Sequence, residues 1–425
     1  MPYPQRTSLL LIAIIELLER FSYYGTRAII VLFAIDENGL GLQRSEALSS
    51  YAQLTFLVFL LPLPAGIISD LTIKQKNGTL LGGIIALAGY TSLSMEEMNF
   101  VVIGLILMAI GTSFVKTNLT VLVGRLFEKT DKNRDFGFML FYFGINLGAF
   151  IGVLVIGSIS EEMGWKYGFM ISAFATLLYV VLFYFIKDQL PLIEKNINQK
   201  YLETSTFNDT IIDSELAQNK KLPNPAPVFL IVIFTIIISL FWNLYEISSS
   251  PFYYYLSQKE DFTIMGFYIP ISMMQTIGAV FNLIIMFVFL LTWYFQGLGS
   301  TIGKIALSMI LLGVSIQVMY YVITFSGSDY MSYALLATFL FSTAEVLIAP
   351  FVMSYITRLS DVRYSSTIFG FYLLCSGVAA KFLYYFVDID ESTNHMMVLS
   401  IIAILIGVSL ILFRKKILKM SGGLD

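Results

Sequence analysis

The stretch Glu16–Arg27, ELLERFSYYGTR, decides how this chain is read. It lies inside an apolar run, residues 8–35, long enough to span a bilayer. Two glutamates and two arginines stand in the middle of that run. At about 100° per residue, Glu16, Arg20, Tyr23 and Arg27 fall on one helical face, with Glu19 close beside them. A charge at the bilayer centre costs about 2.5–3.5 kcal/mol on insertion scales. Four of them on a lipid-facing helix would be prohibitive, so this face lines a protein interior or a water-filled cavity. Intramembrane ionisable residues mark function by default. The plainer alternative is an ion-pair cluster that only locks helices together.

The composition agrees. Of 425 residues, 57% are hydrophobic and 13% charged, against about 25% charged in a soluble domain. The chain is read as a polytopic membrane protein. A net charge of −3 without a basic stripe offers nothing to a nucleic acid. Cys375 is the single cysteine, which leaves no intramolecular disulfide or cysteine metal cluster. His395, in a short acidic connection, is not expected to be catalytic or to bind zinc. The opening segment has no cleavage-site pattern and is not expected to be a removable signal peptide.

Segments of spanning length recur twelve times, near 8–35, 46–70, 78–95, 98–127, 136–160, 165–187, 226–256, 262–294, 301–325, 330–357, 364–387 and 394–418. Nineteen lysines and arginines fall in the even-numbered loops and the termini, against three, Arg44, Lys166 and Lys259, on the other side. That bias predicts both termini on the cytoplasmic side. A polar linker, 188–225, separates six spans (1–187) from six more (226–425). The expected fold is an all-α membrane protein of twelve transmembrane helices in two six-helix bundles, with a substrate site at the midplane between them. Small residues, as in GGIIALAGY from Gly82 and GINLGAFIG from Gly144, read as close helix packing. YYY at 253–255 reads as part of an aromatic belt.

Eight ionisable residues lie within the spans: Glu16, Glu19, Arg20, Arg27, Lys116, Glu246, Glu345 and Lys381. The first half is cation-rich, with Arg20, Arg27 and Lys116 against Glu16 and Glu19. The second half contributes Glu246 and Glu345 from its first and fourth spans. A cavity with cations on one wall and carboxylates on the other suits a zwitterion such as a peptide.

Glu16, Glu19, Arg20, Phe21, Tyr23, Tyr24 and Gly25 match E-x-x-E-R-F-x-Y-Y-G, and the chain thereby resembles the proton-coupled oligopeptide transporter family of the major facilitator superfamily. Phe141, Tyr142, Ile145, Asn146, Gly148 and Ala149 resemble that family's F-Y-x-x-I-N-x-G-[SA]. GWKYGF from Gly164 is similar to its G-W-R-Y-G-F, and GTSFVKTN to its G-x-G-x-F-K-P-N, which sets Lys116 on the family's lysine. FWNLYE and AEVLIAP set Glu246 and Glu345 on its glutamates of helices seven and ten, and FGFYLL from Phe369 follows its M-G-x-W-F-L. The chain also departs from the pattern. Leu71 stands for an arginine after Asp70, Phe59 for a tyrosine, Gly278 for an asparagine with Asn282 one turn later, and Ala349 for a serine. Lys381 has no family counterpart and reads as a locally paired or snorkelling side chain.

The resemblance implies inward symport of di- and tripeptides with protons, by alternating access, in the inner membrane of a bacterium. The protein would act as a monomer among membrane lipid and need no cofactor beyond the coupling proton. It implies that Arg20, Lys116 and Tyr24 hold the peptide carboxylate, and that Glu345 and Asn146 hold its amino end. Glu16 and Glu19 would pair with Lys116. Glu246 would exchange a proton and, when ionised, pair with Arg27 across the halves. Carriage of another zwitterion or an anion, such as a modified amino acid or a nitrate-like solute, is the alternative within the same fold. An intramembrane enzyme would want a nucleophile–base pair, a metal cluster or a G-x-S-x-G turn, and the sequence offers none. A receptor or scaffold would want a folded domain outside the membrane.

Overall fold

The computed structural model describes residues 4–192, 226–258, 263–264, 267–268, 272–292, 300–325, 330–384 and 394–424. At 263–264, 267–268, 272–275, 379–384 and 394 the description is of the backbone alone. Most of the linker, 193–225, and the side chain of Lys381 lie outside the described residues.

The first half comprises α1 (Gln5–Ile35), α2 (Arg44–Leu60), α3 (Pro62–Ile68), α4 (Lys74–Leu93), α5 (Met98–Arg125), α6 (Arg134–Met163) and α7 (Trp165–Ile186). The second comprises α8 (Ala226–Ser257), α9 (Ser272–Thr292), α10 (Thr301–Phe325), α11 (Tyr330–Leu359), α12 (Ser365–Tyr384), α13 (Asn394–Leu412) and the short α14 (Arg414–Met420). α2 and α3 form one span, broken at Leu61 because Pro62 cannot donate to the helical ladder. Among the described residues, twelve spans result. Among them, eight helical stretches are long and apolar enough to cross a membrane by length and composition; one of these, 44–93, contains two spans. α1, with 31 residues, is about 46 Å long at ~1.5 Å per residue. It exceeds the hydrocarbon core, and its four central charges keep it out of that set.

The helix pairings repeat between the halves. α1 packs on α6 and α8 on α12; α4 packs on α5 and α10 on α11; α4 packs on α7 and α10 on α13. In span order these are one with five, three with four and three with six, each recurring six spans later, as a structural repeat requires. The α1–α6 seam is built from glycine. A Cβ on Gly148 would lie 2.2 Å from the Leu17 carbonyl oxygen, and one on Gly152 would lie 2.3 Å from that of Phe21. Backbone contact this close is open only to glycine. It presses one face of α1 onto α6, and the charged face is thereby turned toward α5.

Two expectations are corrected here. The eighth span does not start at 262, because a short antiparallel pair, β1 (Thr263–Ile264) and β2 (Phe267–Tyr268), precedes α9. Pro270 follows that pair in the sequence and disfavours helix in the residue before it. The basic tail after Leu412 is not part of the last span. It turns at Phe413 into α14, where four of seven residues are cations.

Candidate functional site

The charged face of α1 is buried where it was expected to line the interior. Glu16, Glu19 and Arg20 expose 2% or less of their surface. Arg20 Nε stands 3.0 Å from Glu16 Oε1, one helical turn back, and also contacts Glu19 Oε2. Its guanidinium lies 5.4 Å from the centre of the Tyr23 ring. The pairing expected of Glu16 and Glu19 with Lys116 is therefore made by Arg20. The reason is local: a guanidinium on the same helix at i+4 and i+1 reaches both carboxylates without any movement of α5. Lys116 is half-buried on α5 and makes no ion pair within 4.0 Å among the described residues. Its Nζ lies 5.9 Å from the centre of the Phe59 ring, so the aromatic that stands in place of a tyrosine faces the lysine without a hydroxyl. Glu16 Oε2, Glu19 Oε1 and Arg20 Nη2 are buried without hydrogen-bond partners among the described residues. Such atoms are costly unless a partner reaches them.

The opposing wall comes from α9 and α11. Glu345, 8% exposed, accepts a 2.8 Å hydrogen bond at Oε1 from the Tyr142 hydroxyl of α6 and one of 2.9 Å at Oε2 from Asn282 Nδ2. The Tyr142 bond crosses between the halves. A carboxylate has about four lone-pair positions, so two remain for an incoming donor. Asn146 is half-buried and donates to the Tyr142 carbonyl oxygen at 3.0 Å. It reaches Glu345 only through that tyrosine. Tyr24 is half-buried, edge-on to Tyr23 with ring centres 5.0 Å apart. Asn282 shares a helix face with Gly278, four residues earlier. A Cβ on Gly278 would sit in ordinary contact with Thr338, 3.4 Å away.

Arg27 and Glu246 are not brought together. Arg27 Nε donates to the Tyr51 hydroxyl at 2.5 Å, within its own half. Glu246 is exposed on α8, and neither residue makes an ion pair among the described residues. α1 and α8 are not packed on each other there. At the opposite end the halves are tied by many polar contacts. Asp70 caps the start of α12, accepting from the backbone N–H groups of Ser366 at 3.3 Å and Thr367 at 2.7 Å, a favoured place for a carboxylate. Arg125 donates to the Val362 carbonyl oxygen at 2.7 Å and to Gln75 Oε1 at 2.9 Å. Leu71, where an arginine was expected, is 69% exposed and takes no part. Buried Asp135 of α6 accepts from Lys304 at 3.0 Å, Arg358 at 3.1 Å, Ser354 at 2.7 Å and Thr301 at 2.8 Å. Gln5 Nε2 donates to the Leu126 carbonyl oxygen at 2.6 Å, which puts the start of α1 at this same end. Polar contacts tie the halves at the Asp70–Asp135 end, and among the described residues α1 and α8 are not packed on each other at the Arg27–Glu246 end.

Sequence reasoning missed Asp135, Lys304 and Arg358 as a unit, since each was read as a loop charge, and it assigned Tyr142 no role. The usable signal was an acid next to the start of an apolar run, in RDFGF.

Two repeated six-helix halves that meet around a buried charged site define a secondary transporter. The profile of the Major Facilitator Superfamily matches residues 12–383, so the chain belongs to that superfamily, and the signatures above resemble its proton-coupled oligopeptide transporter branch. The peptide transporter YePEPT of Yersinia enterocolitica is 25% identical over 85% of this chain and 84% of its own length. A di-/tripeptide transporter of Lactococcus lactis subsp. cremoris is 26% identical over 96% of this chain and 95% of its own. A solved POT family transporter in complex with a thioalcohol-conjugated peptide superposes with a TM-score of 0.65 at 21% identity, covering 96% of each chain. Another, in complex with 5-aminolevulinic acid, gives 0.62 at 20%, also over 96% of each. Membership of a transporter family sets aside the intramembrane-enzyme reading.

Proposed function

We propose that this protein is an inward symporter of di- and tripeptides with protons, in the cytoplasmic membrane of a bacterium. The observation that carries this reading is the pair of oppositely charged walls. Arg20 and Lys116 stand on one half, and Glu345, with lone pairs to spare, stands on the other. A peptide's carboxylate suits Arg20 Nη2 and Lys116, with Tyr24 beside them. Its ammonium suits Glu345, with Asn146 and Asn282 near. The relatives' names support the same substrate class. By the charge bias the closed Asp70–Asp135 end is cytoplasmic, so the molecule faces outward, with Glu246 accessible to a proton from outside. Protonation of Glu246 keeps it from Arg27. With substrate bound, the outer end closes while Glu246 is still protonated; the proton then leaves to the cytoplasmic side, and the ionised carboxylate pairs with Arg27. Each proton moving inward brings about 2.3 kcal/mol per 100 mV, or roughly fiftyfold accumulation at ~1.36 kcal/mol per decade.

Uptake of labelled dipeptide into vesicles holding the purified protein, with and without an inward pH gradient, tests the proposal. Gradient-dependent accumulation is the expected result. Uptake that ignores the gradient removes the proton coupling, and no dipeptide uptake removes the substrate class. Unlabelled competitors in the same assay separate peptides from the alternative cargo, another small zwitterion or an anion.

A further inference from the structure

On the lipid-facing surface of the second half, at the cytoplasmic end, a cleft of about 480 Å³ lies between the first turns of α8 and the last turns of α13. Ile233, Ile237, Leu405 and Ser409 line its walls, and Lys416 and Ile417 of α14 close its floor. Around its mouth Phe229, Leu405 and Phe413 are 55–58% exposed, as befits side chains that face acyl chains. α14 is amphipathic. Its Ile417 is buried, while Arg414, Lys415, Lys416 and Lys419 are exposed, and the helix contains no acid. It therefore lies as an interfacial helix does, apolar side in and cations toward the headgroups.

We propose that this cleft is a binding site for an anionic phospholipid. One acyl chain enters between α8 and α13, and the phosphate sits against Lys416 with Lys415 and Arg414 beside it. Topology alone would ask for cations anywhere in the cytoplasmic loops. It does not ask for a cluster on a helix whose own isoleucine floors an apolar cleft. Charge complementarity selects the occupant: a neutral lipid would gain the apolar contact without the cations, and a free anion would gain the cations without the cleft. Each cation near an anionic surface contributes about 1 kcal/mol.

The test uses the full chain in phosphatidylcholine nanodiscs with and without phosphatidylglycerol. Thermal unfolding and the lipids retained in native mass spectrometry are read together. Phosphatidylglycerol is expected to raise the unfolding temperature and to be retained in preference to phosphatidylcholine. Lys415→Gln with Lys416→Gln should lower that retention roughly thirtyfold, at about 1 kcal/mol per cation and 1.4 kcal/mol per decade. Ser409→Phe, which fills the cleft and leaves the cations in place, should abolish the preference on its own. Lys132→Gln, at the same membrane face but distant from the cleft, should leave it unchanged. Equal retention of both lipids by the unmodified protein would overturn the proposal. So would an equal loss in Lys132→Gln, which would mark a diffuse surface charge, or full displacement by inorganic phosphate.

Discussion

Lys304 Nζ stands 3.0 Å from Asp135 Oδ2, and the two residues belong to opposite halves of the molecule. Arg358 meets the other oxygen of the same carboxylate at 3.1 Å. One buried acid thus holds two buried cations of the partner half, and the contact exists only while this end is closed. It must break whenever the molecule opens at this end, the cytoplasmic end under the proposed function.

Asp135→Asn should therefore shift the molecule toward the state open at that end. The change keeps the shape and the hydroxyl partners Ser354 and Thr301 but leaves two cations uncompensated. Removing one partner of a buried pair costs about 3–5 kcal/mol, more than a hundredfold in the balance of states at 1.36 kcal/mol per decade. Spin labels at Lys132→Cys and Arg363→Cys, in a Cys375→Ser background, would report the distance across the end. A longer mean distance in the Asn variant is expected; an unchanged one would show that Asp70 and Arg125 suffice to hold the closure.

Lys116→Ala should abolish proton-driven uptake while leaving the fold intact. Because Arg20 already pairs with both Glu16 and Glu19 in this state, loss of the lysine breaks no ion pair. The cost should fall on the transport cycle, with little change in thermal stability. Normal concentrative uptake by the variant would remove Lys116 from the coupling role, and an unstable protein would make it structural.

How legible was this in the sequence? The site on α1 was legible because charges in a spanning segment admit few explanations, and the E-x-x-E-R spacing alone set three of them on one face. Its internal pairing was not. Whether Arg20 or Lys116 takes the glutamates depends on how far α5 stands from α1, which the sequence does not give. Asn282 was visible as a displaced amide, but only the structure shows it on Glu345. A shift of four residues returns to the same helix face, and there Asn282 reaches Glu345. The Asp135 cluster was hidden because hydropathy separates spans from loops and cannot tell which loop charges meet.

Glu345 leads to a substrate prediction. If its spare lone pairs receive the peptide ammonium, N-acetylated dipeptides should compete poorly with free ones. Asn282→Ala should weaken dipeptide binding by loosening the carboxylate, at a cost of about 1.5–3 kcal/mol for a hydrogen bond to a charged group, or roughly tenfold to a hundredfold. Competition assays on the same vesicles read both effects. Equal inhibition by acetylated and free peptides would take the ammonium off Glu345 and favour an anion as cargo.

The last prediction concerns Arg27 and Glu246, which are apart in this structure, outward-facing under the proposed function. Arg27 rests on the Tyr51 hydroxyl and Glu246 is exposed on α8. They sit on spans one and seven, the equivalent first helices of the two halves, so closing the outer end carries them toward each other. An ionised Glu246 would then neutralise Arg27, and a protonated one would not. Glu246→Gln mimics the protonated form at every pH. It should bind peptide and exchange it between equal pools on the two sides, since exchange needs no net proton movement. It should fail to concentrate peptide, since the step that senses the gradient is gone. A static bridge that serves only folding predicts something else: a lower yield, and equal loss of both transport modes. Counterflow and gradient-driven uptake should be measured on the same vesicles, normalised to folded protein. Retention of both modes, or parallel loss of both, would defeat the coupling role, whereas exchange without accumulation would place the proton on Glu246.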